Sequence, residues 1–359
     1  MITIPPLSTT YAQARAAFLR AGESALARIE HHIHPRVGPE GEELAIDVAE
    51  LGPSDASHVV VVVSATHGVE GYCGSALQRH WLEQHSPERP DAVRLIMVHG
   101  LNPFGFAWVR RVNEDNVDLN RNFIDWSEPA PATPEYDEIA DLLVPAEWSE
   151  AEQQRTLDAL FEVVSSVGLE RMQAIVSAGQ YTKPTGVFYG GLGPVWSHTW
   201  LRSWSSERLA GASHVTIIDL HTGLGQWGLG ELIGSETSTS AAHQRAVALW
   251  GDVTSMVDGD SVSANLTGDW QAVAAELAPH AEVTSTTIEY GIVDTITVMQ
   301  ALRADAWLHA HGDPTGPDAP AIRAQVRAAF ADDDPAWLEQ VWPRFAEVLE
   351  RALDAAADR

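Results

Sequence analysis

Apolar positions along this chain recur with two periods, one helical and one strand-like. Tyr11, Ala14, Phe18, Leu19, Ala25, Leu26 and Ile29 fall at helical spacing and predict a helix over 10–31. A strand is expected around Glu43–Val48. His58–Ser64 is continuous and β-branched, the pattern of a strand covered on both faces. Glu70–Gln84 reads as helix and Val93–Val98 as strand. Residues 124–136, with three prolines and several acids, read as a surface loop. Helical spacing returns at 149–166 and 194–210. Val215–Leu220 is a strand running into His221, and a Gly-rich stretch from Gly223 to Gly234 follows. Ala241–Leu249 and Ala272–Leu277 look helical, Val283–Glu289 alternates, and 293–311, 320–331 and 335–356 read as three closing helices.

Strands and helices that alternate in this way predict an α/β fold, a mixed, mostly parallel sheet with helices on both faces. No internal repeat and no linker interrupts the 359 residues. The expectation is one domain over 1–359, with a core at about 40–312. The helix at 10–31 and the helices over 320–356 would be additions to that core.

Composition narrows the partners. With 45% hydrophobic and 20% charged residues, the chain can bury a sizeable core. Its net charge of −28 repels phosphate backbones and anionic lipids, so neither nucleic acid nor membrane is an expected partner. Lys183 is the only lysine, so nearly all positive charge is arginine. The single cysteine, Cys73, excludes an intramolecular disulfide, and neither a signal peptide nor a membrane span is evident. A cytoplasmic location is therefore expected. The extra helices are compatible with a homo-oligomer.

Four motifs carry candidate chemistry. THGVEG, Thr66–Gly71, directly follows the strand at 58–64, where open α/β sheets place their ligands. Its His67 and Glu70 can reach one ion from a turn entering a helix. Two further H-x-x-E pairs, His80/Glu83 and His85/Glu88, lack the strand-end context and read as surface residues. RVNEDNVDLNRNF, Arg111–Phe123, is a dense polar run after a buried strand, and by composition alone could equally be a solvated loop. In DLHTGLG, Asp219–Gly225, Asp219 lies two residues before His221 and projects to the same strand face, where it could orient a metal-ligating imidazole. A core histidine bonded to backbone is the alternative there. In TIEYG, Glu289 ends the last strand as either a helix-start charge or a buried functional carboxylate.

Together these motifs resemble the zinc carboxypeptidase (M14-like) superfamily, which also contains aspartoacylase and succinylglutamate desuccinylase. VDLNRNF, Val117–Phe123, is the most specific piece. HGVEG with DLHTGLG is most similar to an uncharacterised bacterial branch, the DUF2817 type. The resemblance covers residues 58–300 and implies a carboxypeptidase-like fold. It implies one Zn²⁺ per chain held by His67, Glu70 and His221, an open catalytic ligand set. Glu289 resembles the general base and Arg111 the arginine that polarises the scissile carbonyl. Asn120 and Arg121 resemble the pair that grips a substrate carboxylate. Asp118 resembles the partner of the first zinc histidine. The superfamily's mobile tyrosine, between the third ligand and the base, has no counterpart in residues 222–288.

The implied activity is hydrolysis of an amide bond in a small peptide or N-acyl amino acid, by a metallo-carboxypeptidase or a deacylase. The alternatives are a non-catalytic carboxylate-binding protein of the same fold and a zinc esterase. Trp196, Trp200 and Trp204 are expected to pack in the core, and Trp227 to wall a pocket. Gly179–Gly191 is expected either to line a cleft or to form a surface turn.

Overall fold

The computed structural model describes residues 4–358. Its strands are β1 (Arg28–Val37), β2 (Glu43–Leu51), β3 (His58–Ser64), β4 (Arg94–His99), β5 (His214–Trp227), β6 (Gly230–Gly234), β7 (Val253–Ser255) and β8 (Glu282–Gly291). The helices are α1 (Tyr11–Ser24), α2 (Gly71–Gln84), α3 (Pro103–Trp108), α4 (Pro134–Leu143), α5 (Glu150–Val167), α6 (Leu169–Ser177), α7 (Trp196–Arg208), α8 (Ala241–Trp250), α9 (Ala274–Leu277), α10 (Thr295–Ala310), α11 (Ala319–Phe330) and α12 (Pro335–Ala357). The strands form one mixed sheet in the order β1-β2-β4-β3-β5-β8-β6-β7. Its centre, β4-β3-β5-β8, is parallel.

The valine run explains why β3 sits in the middle. Val60 and Val62 enter one hydrophobic cluster, and Val59, Val61 and Val63 enter the cluster on the other face. Burying each valine side chain contributes roughly 1.5–3 kcal/mol. The strand that delivers Thr66 and His67 is thus firmly anchored. The first cluster takes in residues of α1, α2 and α10 to α12, and the second takes in α7 with Trp204 and α9. The tryptophans of α7 pack as expected, with Trp200 stacked on Trp204 at 5.4 Å. No described helix is long and apolar enough to cross a membrane.

Three expectations change. The helix expected over 10–31 stops at Ser24, because Leu26 takes a left-handed φ of 58° and residues 28–37 pair antiparallel with β2. The Gly-rich stretch after His221 is largely strand. β5 runs on to Trp227, and β6 pairs antiparallel with β8. Long-range pairing here overrides a composition that favours turns. Finally, His80 is buried rather than on the surface, because α12 covers α2 and sets Trp342 edge-on to it at 4.4 Å. His85 keeps the surface contact expected of it, 3.1 Å from Glu88.

His99, at the end of β4, makes stability depend on pH. It is fully buried, stacked on Phe18 at 4.4 Å, with Nε2 2.9 Å from Ser75 Oγ. Burial pushes its pKa down from 6.5 to about 4. The folded value lies below the unfolded one, so the unfolded chain takes up the proton first. Stability is full above pH 6.5, falls as pH drops through the window from 6.5 to about 4, and is flat below. At ~1.4 kcal/mol per pH unit the loss is roughly 3 kcal/mol. Urea unfolding at about pH 7 and about pH 4.5 should show a shallower loss in His99→Gln than in wild type. Equal losses would remove His99 as the cause.

Candidate functional site

The site forms at the carboxyl ends of the three central parallel strands. β3 delivers His67 through Ala65, a non-glycine residue in the left-handed region with φ 59°. Glu70 follows on a 3-10 turn, Gly68–Glu70, that leads into α2. Gly68 is required there, since a Cβ would lie 2.1 Å from the Gly105 backbone of α3. His221 on β5 and Glu289 on β8 are partners in register, so strand pairing places the two side by side.

Coordinating atoms of His67, Glu70 and His221 all lie within 4.8 Å of one another. His67 Nδ1 is 2.9 Å from Glu70 Oε1, His221 Nδ1 is 3.0 Å from Glu70 Oε2, and the two Nδ1 atoms are 3.2 Å apart. On their far sides, His67 Nε2 is 3.1 Å from Asp118 Oδ1 and His221 Nε2 is 2.6 Å from Asp219 Oδ2. An ionised carboxylate only accepts, so each Nε2 must be the protonated nitrogen. Both Nδ1 lone pairs then face each other and an anionic oxygen. Three acceptors converging in a buried space repel unless a cation sits among them.

The surrounding charge points the same way. Glu70, Asp118, Asp219, Asp269 and Glu289 are buried here, against the guanidiniums of Arg111 and Arg121. Carboxylates outnumber cations, so a divalent ion fits this donor set in chemistry and in charge. Burial works against an ionised Glu70, but positive charge on the two imidazoles beside its oxygens, which protonation supplies where no other cation sits among them, holds its carboxyl well below the usual range. Burial also opposes an ionised Asp118, and Arg111, Arg121 and His67 outweigh it and hold that carboxyl low. For Glu289, burial and then the nearby charge of Glu70 push the pKa up to about 8.

The sequence-derived residues come together in one pocket, which His67, Arg111, Asn120, Arg121, His221 and Glu289 all line. Arg111 donates through Nε to Asp118 at 2.9 Å and through Nη1 to Glu70 at 3.2 Å. The Leu224 N–H donates to Glu289 Oε1 at 2.9 Å. Arg121 donates to the carbonyls of Asn120 and Ser177, at 2.8 and 2.6–2.9 Å. Asn120 Oδ1 is buried and has no hydrogen-bond partner among the described residues. Trp227 is the exception. It is 36% exposed, donates to Asp332 and stands outside the pocket wall, because β5 carries it six residues beyond His221.

Other contributors surround these residues, and of them Trp270 and Phe330 carried no local signal. Trp270 Nε1 and Thr66 Oγ1 donate to Asp219, at 2.8 and 2.9 Å, and fix the carboxylate that orients His221. Phe188, from the 179–191 loop, lies 5.5 Å from the Arg111 guanidinium and 5.1 Å from that of Arg121. Tyr181 of the same loop donates to the Arg121 carbonyl. That loop therefore lines the cleft. Phe330 of α11 closes another side and accepts the Thr222 hydroxyl on its carbonyl.

A family model described as Protein of unknown function (DUF2817) matches residues 7–344. No curated protein sequence matches the chain. The fold superposes on bovine thrombin-activatable fibrinolysis inhibitor, solved in complex with tick carboxypeptidase inhibitor. That match has a TM-score of 0.53 and 10% identity, over 97% of each chain. A further structure of thrombin-activatable fibrinolysis inhibitor gives 0.51 at 10% identity, covering 98% of this chain and 74% of that one. Succinylglutamate desuccinylase from Chromobacterium violaceum gives 0.38 at 15% identity, over 84% and 74%. The architecture is a mixed, carboxypeptidase-like α/β fold.

Proposed function

Because the chain belongs to the DUF2817 family, whose description names no activity, its chemistry has to come from the site. We propose a zinc-dependent hydrolase of an amide bond in a small carboxylate-bearing substrate, either a metallo-carboxypeptidase or an N-acyl amino acid deacylase. The observation that carries this is the meeting of two imidazole Nδ1 atoms and a carboxylate, each imidazole braced from behind by an aspartate.

His67, Glu70 and His221 would hold one zinc ion per chain, with Asp118 and Asp219 fixing both tautomers. Zinc in such a set supplies a nucleophilic water near neutral pH and polarises a carbonyl. Glu289 would accept a proton from the attacking water and pass it to the leaving nitrogen. Its Oε1 is held by the Leu224 N–H, which leaves Oε2 as the working atom. Arg111 donates to the developing oxyanion. Asp118 and Glu70 fix its guanidinium plane beforehand, so little reorganisation is needed in the reaction. Asn120 and Arg121 receive the substrate carboxylate, which an otherwise strongly acidic surface would repel.

Metal analysis tests the proposal. The purified protein should carry one zinc per chain. A chelator should remove it together with activity on peptides and N-acyl amino acids, and added zinc should restore both. Ligation of the folded state alone also predicts a higher melting temperature, by about 4 kcal/mol of stability at a thousandfold excess over Kd. Metal-free protein as active as loaded protein would sink the proposal.

A further inference from the structure

Phe188 lines the pocket of the candidate site in a backbone conformation that phenylalanine rarely takes. Its φ is 55°, in the left-handed region, where a bulky side chain crowds its own backbone. Glycine fills other positive-φ positions of this loop, Gly179 and Gly191. At 188 an aromatic side chain is kept against that local cost, and such strain persists only where surrounding contacts impose it. They do so here. The carbonyl of Val187 accepts the Tyr136 hydroxyl at 2.9 Å, and that of Tyr189 accepts the Asp118 N–H at 2.8 Å. The carbonyl of Phe188 itself accepts the Gln180 N–H at 3.1 Å. With three successive carbonyls held, the side chain has little freedom to leave the pocket.

Two cations meet it there. The guanidiniums of Arg111 and Arg121 lie over the Phe188 ring, at 5.5 and 5.1 Å from its centroid. Both distances fall within the ~6 Å over which a ring face attracts a cation. The two arginines also act on each other. Burial lowers the Arg121 pKa from the ordinary arginine value, Asp118 works to raise it, and the charge of Arg111 lowers it further. Like charges held this close tend to part, and a ring attracted to both opposes that. Hydrogen bonds tie Arg111 to Asp118 and Glu70, and Arg121 to the carbonyls of Asn120 and Ser177. The ring is the contact common to both.

We infer that Phe188 is a positioning residue for both arginines, its ring setting Arg111 and Arg121 at one fixed separation. The roles of the two arginines rest on the hydrolase proposal above, while the clamp itself belongs to the folded chain. Through it, one side chain acts on two quantities at once, the grip on a substrate carboxylate and the stabilisation of an oxyanion.

The test compares Phe188→Leu, which keeps an apolar side chain without a ring face, with Phe188→Tyr, which keeps the ring. Both are made in the full chain, loaded with zinc and assayed on N-acetyl amino acids and dipeptides. NMR order parameters of the arginine Nε–Hε groups are measured alongside. In Phe188→Leu those of Arg111 and Arg121 should fall, while that of Arg110, which donates through Nε to Asp305, stays at its wild-type value. KM should rise and kcat should fall, each by about tenfold, since one arginine serves binding and the other the transition state. Phe188→Tyr should recover most of both losses. Should Phe188→Leu fail to fold, Phe188→Met carries the same expected results. A residue needed only for folding would lower the melting temperature and leave KM and kcat of the folded, zinc-loaded protein at wild-type values. That result, or arginines as rigid in Phe188→Leu as in wild type, would overturn the inference. If wild type hydrolyses none of these substrates and the two arginines still loosen in Phe188→Leu alone, the hydrolase proposal fails and the clamp stands.

Discussion

Glu289→Gln should retain one zinc per chain and lose activity by about 10²–10⁴-fold in kcat, the range that general acid–base catalysis contributes. The substitution keeps the shape of the side chain. A glutamine oxygen can still accept the Leu224 N–H that now holds Oε1 at 2.9 Å, and β8 keeps its register with β5. What disappears is an acceptor for the proton released as the nucleophile forms. A ground-state role would raise KM with kcat unchanged, so the division between kcat and KM distinguishes the two. Full activity in Glu289→Gln would remove Glu289 as the base, whereas wild type and variant that bind the substrate equally and hydrolyse none of it would make the protein a carboxylate-binding member of the fold.

Much of this site was legible because its parts lie at strand ends. The run Val59–Val63 is buried on both faces and could only be a central strand, so the THGVEG turn after it falls at the carboxyl edge of the sheet. DLH and TIE end their strands in the same way, and parallel pairing in register makes them neighbours. Asp219 was legible from period alone, two residues before His221 on one face.

What stayed hidden depends on contacts distant in sequence. Trp270 reaches Asp219 across 51 positions, and Ser177 reaches Arg121 across 56. Neither leaves a local pattern. The start of β1, residues 28–31, was read as helix because Ala25, Leu26 and Ile29 continue a helical spacing, whereas the left-handed turn at Leu26 leads into pairing with β2. His80 was read as surface because its H-x-x-E pair lacks the strand-end context, and α12, which buries it, lies far off in the sequence. In each case tertiary packing overrode a sound local signal.

The proposed metal centre offers the second large effect. His221→Ala should bring zinc content of the purified protein to below about a tenth of wild type and abolish hydrolysis, because three protein ligands are the usual minimum for catalytic zinc. Asp219→Asn probes the layer behind. Its carboxylate accepts from His221 Nε2 at 2.6 Å, Trp270 Nε1 at 2.8 Å and Thr66 Oγ1 at 2.9 Å. An amide in that place can serve only some of these donors. Zinc affinity should fall by about 10–100-fold, the usual effect of losing the group that steadies a ligating histidine. The buried donor left unpaired should also lower stability by about 1–3 kcal/mol. A competing-chelator titration separates the two variants, since saturating zinc should rescue Asp219→Asn and fail to rescue His221→Ala. If His221→Ala bound zinc like wild type, the converging Nδ1 atoms would not be the ligand pair, and the hydrolase proposal would fall with them.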